Sequence, residues 1–210
     1  MEKCIITIAR RYGSGGKQIG KLLAKELGID CYDREILRMA SDDSGINEEL
    51  FGKADETTKK GLLYSVAKKI YKGELIGPDS DDFTSDENLF NYQAKIIKEL
   101  ADKESCVIIG RCADFILKER KDVIRVFTYS SMEQSLKNIH EVQGLDEKAA
   151  KQLIAKRDKY RSDYYKYHTG QDWERMQNYD LCLNTDHLTF EEGAQMIKDY
   201  IALRNGGRHE

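Results

Sequence analysis

The chain predicts an α/β fold: a doubly wound, five-stranded parallel sheet with helices on both faces. Two kinds of observation predict it. Short, nearly continuous apolar runs stand at Cys4–Ile8, Ser105–Ile109 and Val123–Phe127, the pattern of strands buried on both sides. Between and after them, apolar residues recur at helical spacing, as in Ile19, Leu22, Leu23 and Leu27, or Leu89, Ala94, Ile97 and Leu100. Strand alternating with helix is the signature of crossover units, which are right-handed and build parallel sheets.

The first strand leads into Arg10-Arg11-Tyr12-Gly13-Ser14-Gly15-Gly16-Lys17, and a helix follows to Leu27, closed by Gly28. Glycines without a Cβ allow the backbone to curl with its N–H groups inward, and the helix start adds positive dipole. This is a candidate phosphate loop, although a plain glycine-rich turn would have the same composition. It departs from G-x-x-x-x-G-K-[ST]. With Gly15 as the second glycine, Arg10 takes the first glycine's place and Gly16 the lysine's. Lys17 then stands one place late and is followed by Gln18, where a Ser or Thr would be needed for Mg²⁺. G-x-G-x-x-G fails as well, because Gln18 replaces its third glycine.

Ile29–Asp33 is a short second strand, and Glu35–Ala40 begins a helix. Asp33 lies at that junction, either as an N-cap or as a functional carboxylate. Residues 42–91 carry no strong β signal and are expected to form a helical insertion, with a helix marked by Leu62, Leu63, Val66, Ile70 and Tyr71. Gly77–Asp82, an acidic turn with the only proline, is expected to be solvated surface. The run at Ser105–Ile109 ends in Gly110-Arg111, so an arginine stands at the carboxyl edge of a strand, where open α/β sheets bind ligands. Ser130 or Ser131 caps the next helix, and Thr189 with Glu192 forms a capping box for the last. A final strand is expected at Tyr179–Asn184 and a frayed tail from Asn205.

Lys148–His168 holds seven cations against two anions in a chain whose net charge is −3. Arg157 and Arg161 are four apart and so share a helix face, where two planar guanidinium forks can straddle a polyphosphate. A solvated helix with internal ion pairs is the plainer alternative. Tyr160, Tyr164 and Tyr167 fit a packing stripe, and His168 among them is expected on ordinary polar surface.

Composition narrows the classes. Charged residues are 34% and hydrophobic ones 40% of 210 residues, which suits one α/β domain with an insertion. No apolar run approaches the roughly 18–20 residues of a membrane helix, and a strand so near the start leaves no signal peptide expected. The pI of about 5.9 argues against nucleic acid as a partner, although basic residues among tyrosines could hold RNA. Five cysteines, none in a C-x-x-C pair, fit a reduced, cytoplasmic protein without a metal site. Oligomeric state is left open.

Three blocks, RRYGSGGKQIG, CVIIGRCADFIL and KRDKYRSDYYKYHTG with YDLCLNT behind it, together resemble the cytidylate kinase-like family of P-loop NTPases. The resemblance implies a three-layer P-loop fold with strand order 2-3-1-4-5, a nucleoside-monophosphate-binding arm at 42–91 and an arginine-bearing lid at 145–172. It implies transfer of the ATP γ-phosphoryl group, with Mg²⁺, to a small nucleotide, CMP or dCMP first. By the same resemblance Gly13, Ser14, Gly15, Gly16, Lys17 and Gln18 cradle donor phosphates, Lys17 nearest the transferred group. Arg111 would hold the acceptor phosphate, Asp33 orient the acceptor, and Arg157 and Arg161 close over the transition state. The displaced lysine, and Ile109 where true cytidylate kinases have an acidic residue, are departures. They leave Mg²⁺ to phosphates and water, and leave open a nucleotide-sensing module without turnover. Arg10 and Arg11 would supply compensating charge.

Overall fold

The computed structural model describes residues 3–54 and 74–206. The strands are β1 (Ile5–Arg10), β2 (Asp30–Tyr32), β3 (Cys106–Ile109), β4 (Val123–Tyr129) and β5 (Leu181–Asn184). They form one five-stranded sheet in the order β2-β3-β1-β4-β5, and every pairing is parallel. The helices are α1 (Gly16–Leu27), α2 (Glu35–Ser44), α3 (Glu48–Ala54), α4 (Asp86–Lys103), α5 (Ala113–Ile116), α6 (Met132–Gln143), α7 (Glu147–Thr169) and α8 (Phe190–Gly206). The expected helix around Leu62–Tyr71 lies outside the described residues. The last strand starts two residues later than its pattern suggests, and α8 carries the chain on to Gly206.

Side-chain alternation divides the central strands between two cores. Ile6, Ile8, Val107 and Ile109 face α1 and α8. Ile5, Ala9, Cys106 and Ile108 face the opposite layer, which contains α2, α4, α5 and Tyr160, Tyr164 and Tyr165 of α7; Tyr167, expected in the packing stripe, is exposed, and Tyr165 packs inward in its stead. All eight strand residues are buried, seven of them with no exposure and Ala9 at 5%, so β3 reads as a continuous apolar run and β1 as one broken only by Thr7 before Arg10. A third, smaller cluster of Ile139, Ala150 and Ile154 joins α6 to α7 and takes in Tyr12 of the loop after β1.

The expected caps form with defined partners. Ser131 accepts from the Gln134 amide, Thr189 and Glu192 bond reciprocally, and Gly28 ends α1 at φ 66°. Among the described residues no helix is long and apolar enough to cross a membrane.

His168 corrects the surface expectation. It is 6% exposed, stacked on Phe90 at 4.0 Å between centroids and flanked by Tyr164 and Tyr167. Its neighbours come from α4 as well as α7, and the periodicity of α7 alone does not reveal them. Burial pushes its pKa from 6.5 down to about 3. Between those values the unfolded chain binds a proton that the native state excludes, so stability is lost as pH falls. Relative to His168→Phe, the native protein is expected to lose up to about 1.4 kcal/mol per pH unit from pH 6 to 4. Urea melts across that range check it; parallel pH profiles for the two proteins would contradict it.

Candidate functional site

The site lies at the carboxyl ends of the strands, and the loop from Arg11 to Gly15 is its floor. Gly13 (φ 86°) and Gly15 (φ 77°) take left-handed conformations, and the surroundings occupy the carbonyls of Arg10, Gly13 and Ser14 with hydrogen bonds. The Gly13 carbonyl accepts from Asn138 Nδ2 at 2.8 Å, the Ser14 carbonyl from Thr185 Oγ1 at 3.0 Å and the Arg10 carbonyl from Arg161 Nη1 at 2.9 Å. With these carbonyls engaged and α1 beginning at Gly16, the first-turn amides have no intrahelical acceptor and can meet an anion. The Ser14 hydroxyl takes no part in the cleft: it is fully buried and bonded to the Arg11 carbonyl and Thr128 Oγ1, each at 2.9 Å.

Glycines 15 and 16 are required by space as well as by curvature. A Cβ on Gly15 would strike the Phe190 ring, and one on Gly16 would strike Thr128 Oγ1 and come within 2.7 Å of Arg10 Cβ. Phe190 opens α8, so the closing helix seals the loop from behind.

Lys17 and Asp33 form an ion pair at 2.6 Å, with Arg10 Nη2 3.9 Å from the other carboxylate oxygen. Burial alone would raise the Asp33 pKa, but the Lys17 hydrogen bond, with Arg10 and Arg111 near by, holds it below the ordinary carboxylate range. Asp33 therefore does not cap α2; the residue at that position is Arg34, with no side-chain cap.

Gly110, Arg111 and Cys112 are consecutive left-handed residues, at φ 73°, 58° and 53°. For the two with a Cβ this conformation costs roughly 1–2 kcal/mol each, a cost met by the contacts it creates. It turns Arg111 back across β2, where Nε donates to the Asp33 carbonyl at 2.7 Å and Nη1 to Gln93 Oε1 at 3.2 Å.

The basic helix divides as its two readings foresaw. Lys151–Glu147 and Lys159–Asp163 are surface pairs of the i,i+4 kind, while Arg157 and Arg161 line the cleft. Asp158 anchors this face by accepting from the Tyr12 amide at 2.7 Å, and it lies 3.6 Å from Arg161. Burial, with Arg10 and Arg157 close by, pushes the Arg161 guanidinium down to about 9. It remains a cation at neutral pH, held among other cations.

Two clefts meet here. The larger, about 380 Å³, is lined by Asp33, Arg34, Arg111, Arg157, Tyr160 and Trp173 among others. The smaller, about 150 Å³, runs along Gly13, Gly15 and Gln18 to α6. Arg10, Tyr12, Lys17 and Arg161 line both. All the residues expected to act thus converge here, with Ser14 alone turned inward. Asp114 was not foreseen: it is buried at the larger cleft, bonded to the Tyr165 hydroxyl at 2.6 Å. Burial raises its pKa to about 6, opposed by that hydrogen bond. Only its place three residues after Arg111 could have drawn attention to it.

The donor set does not suit a protein-held Mg²⁺. Among the described residues no group of three or more His, Cys, Asp or Glu side chains could hold a metal ion, and Asp33 is already occupied by Lys17.

Strand order and glycine loop give the chain the P-loop kinase fold. Residues 5–187 match the cytidylate kinase-like family, and the chain belongs to that family. Among solved structures it is similar to an uncharacterized protein from Eubacterium ventriosum, at 26% identity and a TM-score of 0.69 over 95% of this chain and 98% of that one. It shares its fold with shikimate kinase from Bacteroides thetaiotaomicron, at 14% identity, a TM-score of 0.52 and coverage of 95% and 99%. TT1252 from Thermus thermophilus is comparable, at 14% identity, a TM-score of 0.51 and coverage of 96% and 98%. No curated protein matches the chain.

Proposed function

We propose that the protein transfers the γ-phosphoryl group of ATP to a nucleoside monophosphate, with CMP and dCMP the first acceptors to test. The observation that carries this reading is the junction: Arg10, Lys17 and Arg161 stand where the two clefts meet. Cations held this close repel one another, and an anion passing between two pockets is what would relieve the repulsion. Phosphoryl transfer needs little else, because positioning and neutralisation of the migrating charge carry most of the catalysis.

In this reading the amides from Gly13 to Gln18 hold the donor phosphates. Lys17 and the α7 arginines, Arg157 and Arg161, close over the transferred group, with residues 145–172 as the lid and residues 42–91 as the acceptor arm. Arg111 grips the acceptor phosphate, and Asp33 orients the acceptor from beside Lys17. Tyr160 and Trp173 offer aromatic faces to a base. Mg²⁺, arriving with the nucleotide, would add charge neutralisation on the phosphates.

A coupled ADP-release assay over a panel of nucleoside monophosphates is the test. Arg111→Met is expected to raise the acceptor KM about 30- to 100-fold, the loss of a charged hydrogen bond of about 2–3 kcal/mol, with ATP affinity unchanged. Any residue with a Cβ meets the same left-handed backbone there, so the substitution adds no backbone strain, and a thermal melt run beside it reports the loss of the contacts to the Asp33 carbonyl and Gln93. An unchanged acceptor KM would remove Arg111 from the acceptor site. The second reading, a nucleotide sensor without turnover, draws on Gly16 at the lysine position and on fully buried Ile109 before Gly-Arg. ATP binding with silence toward every acceptor would favour it.

A further inference from the structure

We infer that Arg10 is the cation that grips the transferred phosphoryl group, in the place that the lysine holds in a regular G-x-x-x-x-G-K-[ST] loop. The inference rests on the proposed phosphoryl transfer and adds to it the residue that replaces the missing lysine.

The argument begins at Gly16, the residue at the lysine position. A side chain leaving the backbone there would meet Arg10 Cβ at 2.7 Å and Arg10 Cγ at 3.3 Å. The volume into which the motif's lysine would leave is therefore filled by the stem of Arg10. That stem comes from the last residue of β1, at the position of the motif's first glycine. The exchange is reciprocal: where the motif has glycine, this chain has a long cation, and where the motif has the cation, it has glycine.

The head of Arg10 lies where such a cation would be useful. Nη1 overlies the Cα of Gly110, so closely that no Cβ could stand there, and Nη2 is 3.9 Å from Asp33 Oδ1. Gly110 and Asp33 end β3 and β2, so the guanidinium spans the sheet edge between the two clefts. A strand-borne side chain packed along its stem is also less free than a lysine on a helix, which suits a site that must be preorganised.

The neighbouring cations are placed differently. Arg11, next in sequence, turns to Glu174 at 2.6 Å and is 44% exposed. Lys17 is 46% exposed and paired with Asp33. Of the loop's three cations, Arg10 is the most enclosed, at 19%.

The test compares ATP with ADP by calorimetric titration and measures turnover with CMP, using wild type, Arg10→Met and Arg10→Lys. Methionine keeps a stem over Gly16 and removes the charge. The wild type is expected to bind ATP at least tenfold more tightly than ADP, and Arg10→Met to lose that preference and about 100-fold in kcat. Arg10→Lys is expected to recover part of both. A folded Arg10→Met with the wild-type ATP-to-ADP ratio would overturn the inference, as would a wild type without the preference. If the Met variant does not fold, Arg10→Gln, which also keeps a stem and removes the charge, decides by the same ratio: loss of the ATP preference supports the inference, and the wild-type ratio overturns it. Should the wild type turn over no acceptor, the proposed function falls while the binding ratios still decide the role of Arg10.

Discussion

Arg161→Met is expected to lower phosphoryl transfer about 1,000-fold while shifting the melting temperature by only a few degrees. The rate effect follows from position. Arg161 borders both clefts, and an arginine that neutralises the migrating phosphoryl group is worth on the order of 10³ or more in rate. The small stability effect follows from the balance of charges. Removing Arg161 relieves a guanidinium held near Arg10 and Arg157, and it deprives Asp158 of a partner 3.6 Å away. These act in opposite directions. Asp158 also keeps the Tyr12 amide, and the Arg10 carbonyl loses one donor. Turnover with the best acceptor, measured beside a thermal melt, separates the outcomes. A folded variant with more than a tenth of the wild-type rate would exclude Arg161 from the reacting group.

Gly16→Lys, which rebuilds the lysine of the regular motif, is expected to abolish activity and not to enhance it. Compared by sequence alone, the substitution looks like a repair. In the folded protein the new Cβ would run into Thr128 Oγ1 and the Arg10 stem, and Thr128 cannot withdraw freely because its hydroxyl is bonded to Ser14 at 2.9 Å. Overpacking of this kind costs roughly 1–3 kcal/mol, a drop of several degrees in melting temperature for a chain of this length. Displacing Arg10 would remove its charge from the junction as well. Gly16→Ala should show most of the same loss, since the first carbon makes the clash. A Gly16→Lys protein as stable and active as the wild type would show that the loop accepts the regular motif, and that Arg10 is not packed as described.

Two residues show what local pattern could not decide. Asp33 invited an N-cap because it precedes a helix, yet its carboxylate is taken by Lys17, sixteen positions earlier and brought alongside only by the β1–α1–β2 crossover. His168 shares a helix with solvent-facing lysines, and it is buried because Phe90, from α4, lies flat against it. Neither neighbour could be inferred from local periodicity. Arg10 and Arg11 show the same limit at its smallest scale. They are adjacent and chemically identical, and side-chain alternation at the end of β1 directs one over the sheet edge and the other toward Glu174.

Local chemistry was sufficient wherever the cause was local. Nearly continuous isoleucine and valine runs mark strands covered on both faces, a glycine ends α1 because only it takes that turn without strain, and Thr189 with Glu192 caps α8 from three residues away. The family blocks added the strand order and the convergence of Lys17, Arg111, Arg157 and Arg161 on one edge of the sheet. Which cation fills the missing lysine's volume, and how Asp33 and Arg111 engage across β2, were settled only by packing. Those contacts join segments up to about a hundred residues apart in the chain, and no spacing rule operates over such distances.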